Sequence, residues 1–495
     1  MAVKSTTFES YNPATGEIVG TFPIQGRAEV EEAVSLAQRA FENWCQLGFR
    51  GRHIVLRDFA SILTKEIDLA ANLIHNETGK PFSDAKLEVA LAIEHIGWSS
   101  KNAARVLGKQ NRPSGLLMFN MASQVQRVPY GVVGVIGPWN YPIFTPIGSI
   151  AYALAAGNTV VFKPSEYTPA IAKFIEELWN RIAPFSGIFQ VVSGTGDTGV
   201  ALTQSRVGKI SFTGSTRTAK KVAAACAENM TPVILECGGK DAVLIDQDAN
   251  IKKAAELTLW HAMSNAGQSC IGAERVYVHR AVSAKFKEEI VRQARELKPG
   301  FAGDANYGPA TMPSQLKVIQ RHLDDAAERG GKFLIGDTNS IKEGYVDPVI
   351  IEDVPEDSSA VTEETFGPIL IINTVNNMDE AVDLANATGY GLGAAVWSKK
   401  NGKRIASLLK CGMVSINSAF SFAAVGSLPF GGVQDSGYGR IHGAEGLLEF
   451  TYPRTVIRPK FRIPFEFTSF QRSKFADQIL VRLVRILHKR RIRKK

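Results

Sequence analysis

Residues 132–163 read VVGVIGPWNYPIFTPIGSIAYALAAGNTVVFK. A β-branched run from Val132 to Ile136 leads into a proline-bounded loop, an apolar stretch of helical length and a second run from Thr159 to Phe162. No residue from Val128 to Phe162 is charged, yet Pro129, Pro138, Pro142 and Pro146, with the polar Asn140 and Asn158, argue against a membrane span. The stretch predicts strand, loop, buried helix and strand inside a large core. Short runs come next at Phe189 to Val192, Lys209 to Thr213 and Val233 to Leu235, with helical segments between them. Strands alternating with helices make a parallel, doubly wound sheet. Upstream, residues 28–107 carry helical apolar spacing, as in Val30, Val34, Ala37 and Phe41, then Ile54, Leu56, Phe59 and Leu63. A second alternating series lies beyond Cys270, with strands predicted at Arg275 to His279 and Ile369 to Thr374 and helices over 281–297 and 313–329. Segments 113–130 and 450–468 read as extended pieces outside both sheets.

A chain of 495 residues exceeds one ordinary core and implies two or three domains. With 45% hydrophobic and 21% charged residues, its composition is that of a soluble globular protein. Five cysteines without regular spacing give neither a disulfide framework nor a metal-ligand pattern, so no metal is expected. A reducing, cytoplasmic compartment is the expectation, and the N-terminus lacks the apolar core of a signal peptide. The net charge of +9 is unevenly placed: residues 455–495 hold 13 Lys or Arg against Glu466 and Asp477. That segment carries +11, which leaves 9 − 11 = −2 on the rest.

Cys270 closes the run Ser264-Asn265-Ala266-Gly267-Gln268-Ser269-Cys270, a composition that makes a loop and a poor core. A thiol there is a candidate nucleophile, active as thiolate if a helix terminus or a positive neighbour lowers its pKa. Glu236, in the turn Leu235-Glu236-Cys237-Gly238-Gly239-Lys240, offers a carboxylate base able to activate water against an acyl-enzyme. Cys45, Cys226, Cys237 and Cys411 fit the plainer role of small core residues. Asn140, between Pro138 and Pro142, places an amide donor in a stiffened loop, suited to an oxyanion or simply a rigid turn.

Two stretches compete for a phosphate. Gly194-Thr195-Gly196-Asp197-Thr198-Gly199 matches G-x-G-x-x-G, but no acidic residue ends a strand about 20 residues on. Thr213-Gly214-Ser215-Thr216 also succeeds a strand and opens a helix. Lys163-Pro164-Ser165-Glu166 ends a strand with a carboxylate that could accept ribose hydroxyls and repel a 2′-phosphate, or be a solvated strand end. Glu364 and Phe366, in Glu363-Glu364-Thr365-Phe366-Gly367-Pro368, suit a sugar hydroxyl and a flat ring.

The order and combination of these motifs, with Tyr11-Asn12-Pro13-Ala14-Thr15-Gly16-Glu17 and Leu428-Pro429-Phe430-Gly431-Gly432, resemble the NAD(P)-dependent aldehyde dehydrogenase superfamily over residues 10–455. The resemblance implies an α/β fold with two doubly wound parallel-sheet domains, a Rossmann-like cofactor domain and a catalytic domain, plus a small β oligomerisation element. It assigns 1–112 and 131–238, with 413–449, to the cofactor domain; 239–412 to the catalytic domain; and 113–130 with 450–468 to oligomerisation, as a homodimer or homotetramer. It implies that Cys270 attacks the aldehyde, Asn140 and the Cys270 N–H hold the oxyanion, and Glu236 activates water. For the cofactor, NAD with NADP as the alternative, it points to Trp139, Lys163, Glu166, Gly214, Ser215, Glu364 and Phe366, with Gly194 in a nearby loop.

By the same likeness Tyr141, Phe144, Phe420, Phe422 and Phe430 line the aldehyde tunnel. Gly148 stands where relatives often carry a large aromatic, which implies a wider tunnel. The loop 417–426 has no Lys or Arg, so the expected substrate is an apolar aliphatic or aromatic aldehyde; a succinate-semialdehyde dehydrogenase and a non-catalytic protein retaining the fold are the alternatives.

The last 40 residues depart from the family pattern, and 469–495 form a basic amphipathic tail. At 100° per residue, Phe475, Ala476, Ile479, Leu480, Leu483, Val484, Ile486 and Leu487 fill one half of a helix, with Lys474, Arg482, Arg485, His488 and Lys489 opposite and Val481 the exception. Arg490, Arg491, Arg493, Lys494 and Lys495 come after them. A basic amphipathic segment over 474–495 suits an anionic membrane surface, here the inner face, or docking on its own subunit. Without interleaved aromatics, nucleic acid is not the expected partner.

Overall fold

A computed structural model describes residues 6–463 and 469–488. The basic run 489–495 and part of the 450–468 segment therefore lie outside the described residues. The described residues form two compact units, one within 1–106 and 129–450, the other within 107–128 and 451–495.

The larger unit holds two open sheets. The first runs, edge to edge, Gly437–Tyr438, Val233–Glu236, Lys209–Thr213, Val132–Ile136, Thr159–Lys163 and Phe189–Val191. Its last five strands are parallel. The β-branched run 132–136 is buried at every position, as a strand covered on both faces should be. Chain order reverses at this strand: the next strand lies on one side of it and Lys209–Thr213 on the other. At such a switch point the loops beyond the two carboxyl ends diverge and leave a crevice. Pro138-Trp139-Asn140 leaves one of those ends and Gly214-Ser215 the other.

The second sheet has the order Lys332–Ile335, Val349–Glu352, Ile369–Val375, Ala273–His279, Asp241–Ile245, Gly393–Trp397 and Met413–Ile416. All but the first are parallel. Helices Ile251–Met263 and Ser283–Ala294 bury Leu259, Met263, Phe286 and Ile290 against Val243, Val276 and Ile372. Helices fill 27–107, as the apolar spacing predicts.

Two boundaries move. Met413–Ile416 pairs in parallel with Gly393–Trp397, so the segment expected in the cofactor domain from 413 begins in the second sheet. It is buried only at alternate positions, an edge-strand pattern that a short apolar run does not reveal. Gln110–Arg112, expected to end the cofactor domain, pairs with Met121–Pro129 in the three-stranded sheet that Thr451–Pro459 completes. Its three exposed polar residues carry no strand signature.

Candidate active site

Helix Ile251–Met263 runs into a turn in which Asn265 and Ala266 take left-handed φ of 53° and 56°. That strained turn delivers Gln268 to a set of hydrogen bonds. Its Nε2 donates to the Asn265 and Pro309 carbonyls at 3.0 and 3.2 Å, and its Oε1 accepts from the Thr311 N–H at 2.9 Å. The Gln268 carbonyl accepts from Asn140 Nδ2 at 3.0 Å and from Asn265 Nδ2 at 3.1 Å. The Asn140 loop and the Cys270 loop, on different sheets, are thereby fixed to each other.

Behind Asn140 stands a buried ion pair that the sequence motifs do not disclose. Lys80 Nζ lies 2.6 Å from Glu88, both side chains 1% exposed, and donates to the Asn140 carbonyl at 2.7 Å. Glu88 Oε1 accepts the N–H groups of Ile143 and Phe144 at 3.0 and 3.2 Å, supplying the cap that helix Phe144–Ala156 lacks at its own start. A lysine after Gly79 gives no sign in sequence that it is buried.

Glu236 ends its strand 2% exposed, with neither carboxyl oxygen hydrogen-bonded among the described residues. Burial pushes its pKa up to about 8. The Cys270 thiol lies within reach of this carboxyl and is pushed well above its ordinary value, by burial first and then by Glu236, Glu364 and Asp241. The expected low-pKa thiolate is thus corrected: burial and three carboxyl groups all act against the ionised sulfur.

Cys270 lines two cavities. One, of about 640 Å³, occupies the crevice at the switch point. Its lining includes Lys163 and Glu166, 3.4 Å apart, Gly214 and Ser215, and Trp139 with Phe366, whose rings meet edge to face at 5.5 Å. Ser215 Oγ caps helix Thr216–Glu228 by accepting from the Thr218 N–H at 3.4 Å. Glu364 accepts the Gly239 N–H at 3.0 Å and lies over Gly238, where a Cβ would come within 2.1 Å of its Oε1. Phe366 adopts φ 53°, held by its N–H donating to Glu274 at 2.9 Å; Glu274 is paired with the buried Lys240. A helix N-terminus for phosphate, carboxylates for ribose and aromatic walls for a flat ring together fit a dinucleotide.

The other cavity, about 310 Å³, is walled by Tyr141, Phe144, Trp260, Phe420 and Phe430. Phe420 stacks on Trp260 at 4.7 Å. Of the described residues, only Cys270 and Thr145 belong to both linings.

The family model described as "Aldehyde dehydrogenase family" matches residues 1–456. The chain belongs to that family. The 4,4'-diapolycopene aldehyde oxidase of Methylomonas sp is 34% identical, over 93% of this chain and 87% of its own. The glutarate-semialdehyde dehydrogenase of Pseudomonas putida is also 34% identical, over 90% and 94%. A crystal structure of an aldehyde dehydrogenase from Brucella melitensis superposes with a TM-score of 0.88 at 30% identity, covering 92% of this chain and 95% of the other. The protein is an NAD(P)+-dependent aldehyde dehydrogenase, oxidising an aldehyde to a carboxylic acid.

Within this aldehyde dehydrogenase two positions expected along the tunnel, Phe422 and Gly148, are absent from both cavity linings, and Gly194 lies in a loop beside the crevice. Gly194, at φ 150°, is a turn residue whose Cβ would meet Thr198 Oγ1 at 2.0 Å; Gly196 and Asp197 face the crevice instead. Phe422 turns its ring toward Gly393, under the second sheet. Gly148 does not widen the tunnel, because the His442 imidazole fills the space beside it: a Cβ on Gly148 would lie 2.2 Å from His442 Nε2. His442 is 1% exposed at φ 62°, packed on His95 at 3.8 Å and against Phe144 and Phe430 at 5.5 Å each. The missing aromatic volume comes from another element.

Gly148→Ala should accordingly destabilise the enzyme by about 1–3 kcal/mol, as overpacking of a tight core does. Combining it with His442→Ala should recover a large part of the loss relative to the sum of the two single changes. Denaturant midpoints of the four proteins measure the coupling; simple additivity would show that the two residues do not share the space.

Proposed function

We propose that this enzyme oxidises an apolar aldehyde through a Cys270 thioester. The observation that carries the substrate class is the cavity on the Cys270 side. Its aromatic wall contains one cation among the described residues, Lys80, and that cation is already paired with Glu88 and with the Asn140 carbonyl. A substrate carboxylate would find no uncommitted positive group among the described lining residues. Arg275 is no substitute, because its guanidinium is buried and committed to the carbonyls of Lys240, Leu384 and Ala385. The relative named for a diapolycopene aldehyde agrees with such a cavity; the one named for a semialdehyde does not.

The thiol proton must leave before or as sulfur attacks the carbonyl carbon, and Glu236 is the acceptor in reach. Asn140 Nδ2 has a second N–H beyond the one given to Gln268, and with the Cys270 backbone N–H it stabilises the thiohemiacetal oxyanion. The nicotinamide, when bound, supplies the hydride acceptor. Once Glu236 has released the thiol's proton to solvent, it takes a proton from the water that attacks the thioester and returns that proton to the leaving sulfur, releasing the acid and the thiol. Lys163 and Glu166 hold the adenosine ribose, and Glu166 favours NAD over NADP. We also assign the sheet of 110–112, 121–129 and 451–459 to homo-oligomerisation.

NADH formation across an aldehyde series tests the substrate class. kcat/KM should rise about fourfold per added methylene until the cavity is full, following about 0.8 kcal/mol per buried CH₂. Succinic semialdehyde should lie on the order of 100-fold below the best apolar aldehyde. A preference for the semialdehyde would overturn the reading of this cavity.

A further inference from the structure

The family match ends at 456, and beyond it lies a helix, Lys474–His488, that no part of the proposed chemistry uses. We propose that this helix is a docking surface for an anionic lipid bilayer.

Its apolar half is open to solvent at both ends, with Ile479, Leu480 and Leu483 half-buried between them. Phe475 is 65% and Ile486 72% exposed, Val484 and Leu487 are exposed with them, and Ala476 alone is buried. Phe470, just ahead of the helix, is also fully exposed. A helix of 15 residues is about 22 Å long, and its opposite face carries Lys474, Arg482, Arg485 and His488 against the single acid Asp477, which is paired with Arg472. Large side chains and cations on opposite faces match an interface where hydrocarbon lies beneath charged headgroups.

The alternatives fit less well. No described helix is long and apolar enough to cross a membrane, so this one lies along the surface. A second copy of the chain would meet a body of net charge −2 and cover the apolar half, but it would leave the +11 of residues 455–495 with only a weak counterpart. An anionic bilayer satisfies both faces at once. The inference goes beyond the proposed catalysis, and neither depends on the other.

The test uses the full-length enzyme and flotation with vesicles of phosphatidylcholine, alone or mixed with phosphatidylglycerol. Binding should appear with the anionic mixture and fall on the order of tenfold or more in about 0.5 M NaCl. Arg482→Glu with Arg485→Glu should weaken it on the order of tenfold, and Ile486→Asp by a similar factor from the other face. Turnover of a short soluble aldehyde should stay unchanged in both variants, which shows that they are folded. No binding to anionic vesicles, or binding that neither variant weakens, would overturn the proposal. So would a vesicle-free change of oligomeric state in Ile486→Asp, since that would identify a second copy as the occupant.

Discussion

Cys270→Ala is expected to lower kcat/KM by a factor on the order of 10⁴ or more, leaving the affinity for NAD⁺ within about twofold. The sulfur stands at the meeting point of the crevice and the apolar cavity. Without it the aldehyde carbon has no covalent partner, and hydride would have to leave an unactivated hydrate. The crevice is built from other residues, among them Glu166, Ser215, Glu364 and Phe366, so cofactor binding should survive. Cys270→Ser serves as a second variant because it keeps the volume and polarity while weakening the nucleophile. NADH formation and cofactor titration on the same samples separate the two effects. Residual turnover above a few per cent in either variant would refute the assignment of the nucleophile.

The second large effect is on the pH profile. A base works ionised, and Glu236 with a pKa of about 8 is mostly protonated at neutral pH. Turnover should therefore climb by about tenfold per pH unit well below 8 and flatten above it. The sign comes from burial: desolvation favours the neutral carboxyl, so the active form is gained as pH rises. Glu236→Gln should erase this rising limb and lower steady-state turnover by about 10²–10⁴-fold. Where acylation survives, quench-flow should show one burst of NADH per active site followed by a slow release, because the thioester forms without a base to hydrolyse it. Unchanged turnover with the same pH profile would rule out Glu236 as the base.

Much of this arrangement is legible in the sequence. The β-branched runs from 132 to 235 form the parallel sheet, because a strand buried on both faces needs continuous apolar residues. Asn140 and Cys270 stand in loops, and Glu236 ends a strand just before one, all rich in Gly, Asn or Pro, whose composition advertises a turn. The features that the sequence hides share another character: they depend on which distant residues meet. Nothing in the neighbourhood of Gly148 announces His442, and nothing around Lys80 announces Glu88 as its partner across the start of another helix. The direction of the thiol shift is hidden for the same reason, since Glu364 and Asp241 approach the sulfur only through the folded chain. The 413 boundary fails on a different point. A four-residue edge strand is too short for its alternation to be read.

The narrow seam between the two cavities carries an evolutionary implication. With Cys270 and Thr145 the sole described wall residues in common, selection on one wall barely constrains the other. A lineage could exchange Trp260 or Phe420 to admit a new aldehyde while the crevice proposed to hold the coenzyme stayed as it was. Conversely, a switch of coenzyme need not narrow the diet. Such modularity offers a physical route by which one scaffold could diversify across many aldehydes while its chemical step was preserved.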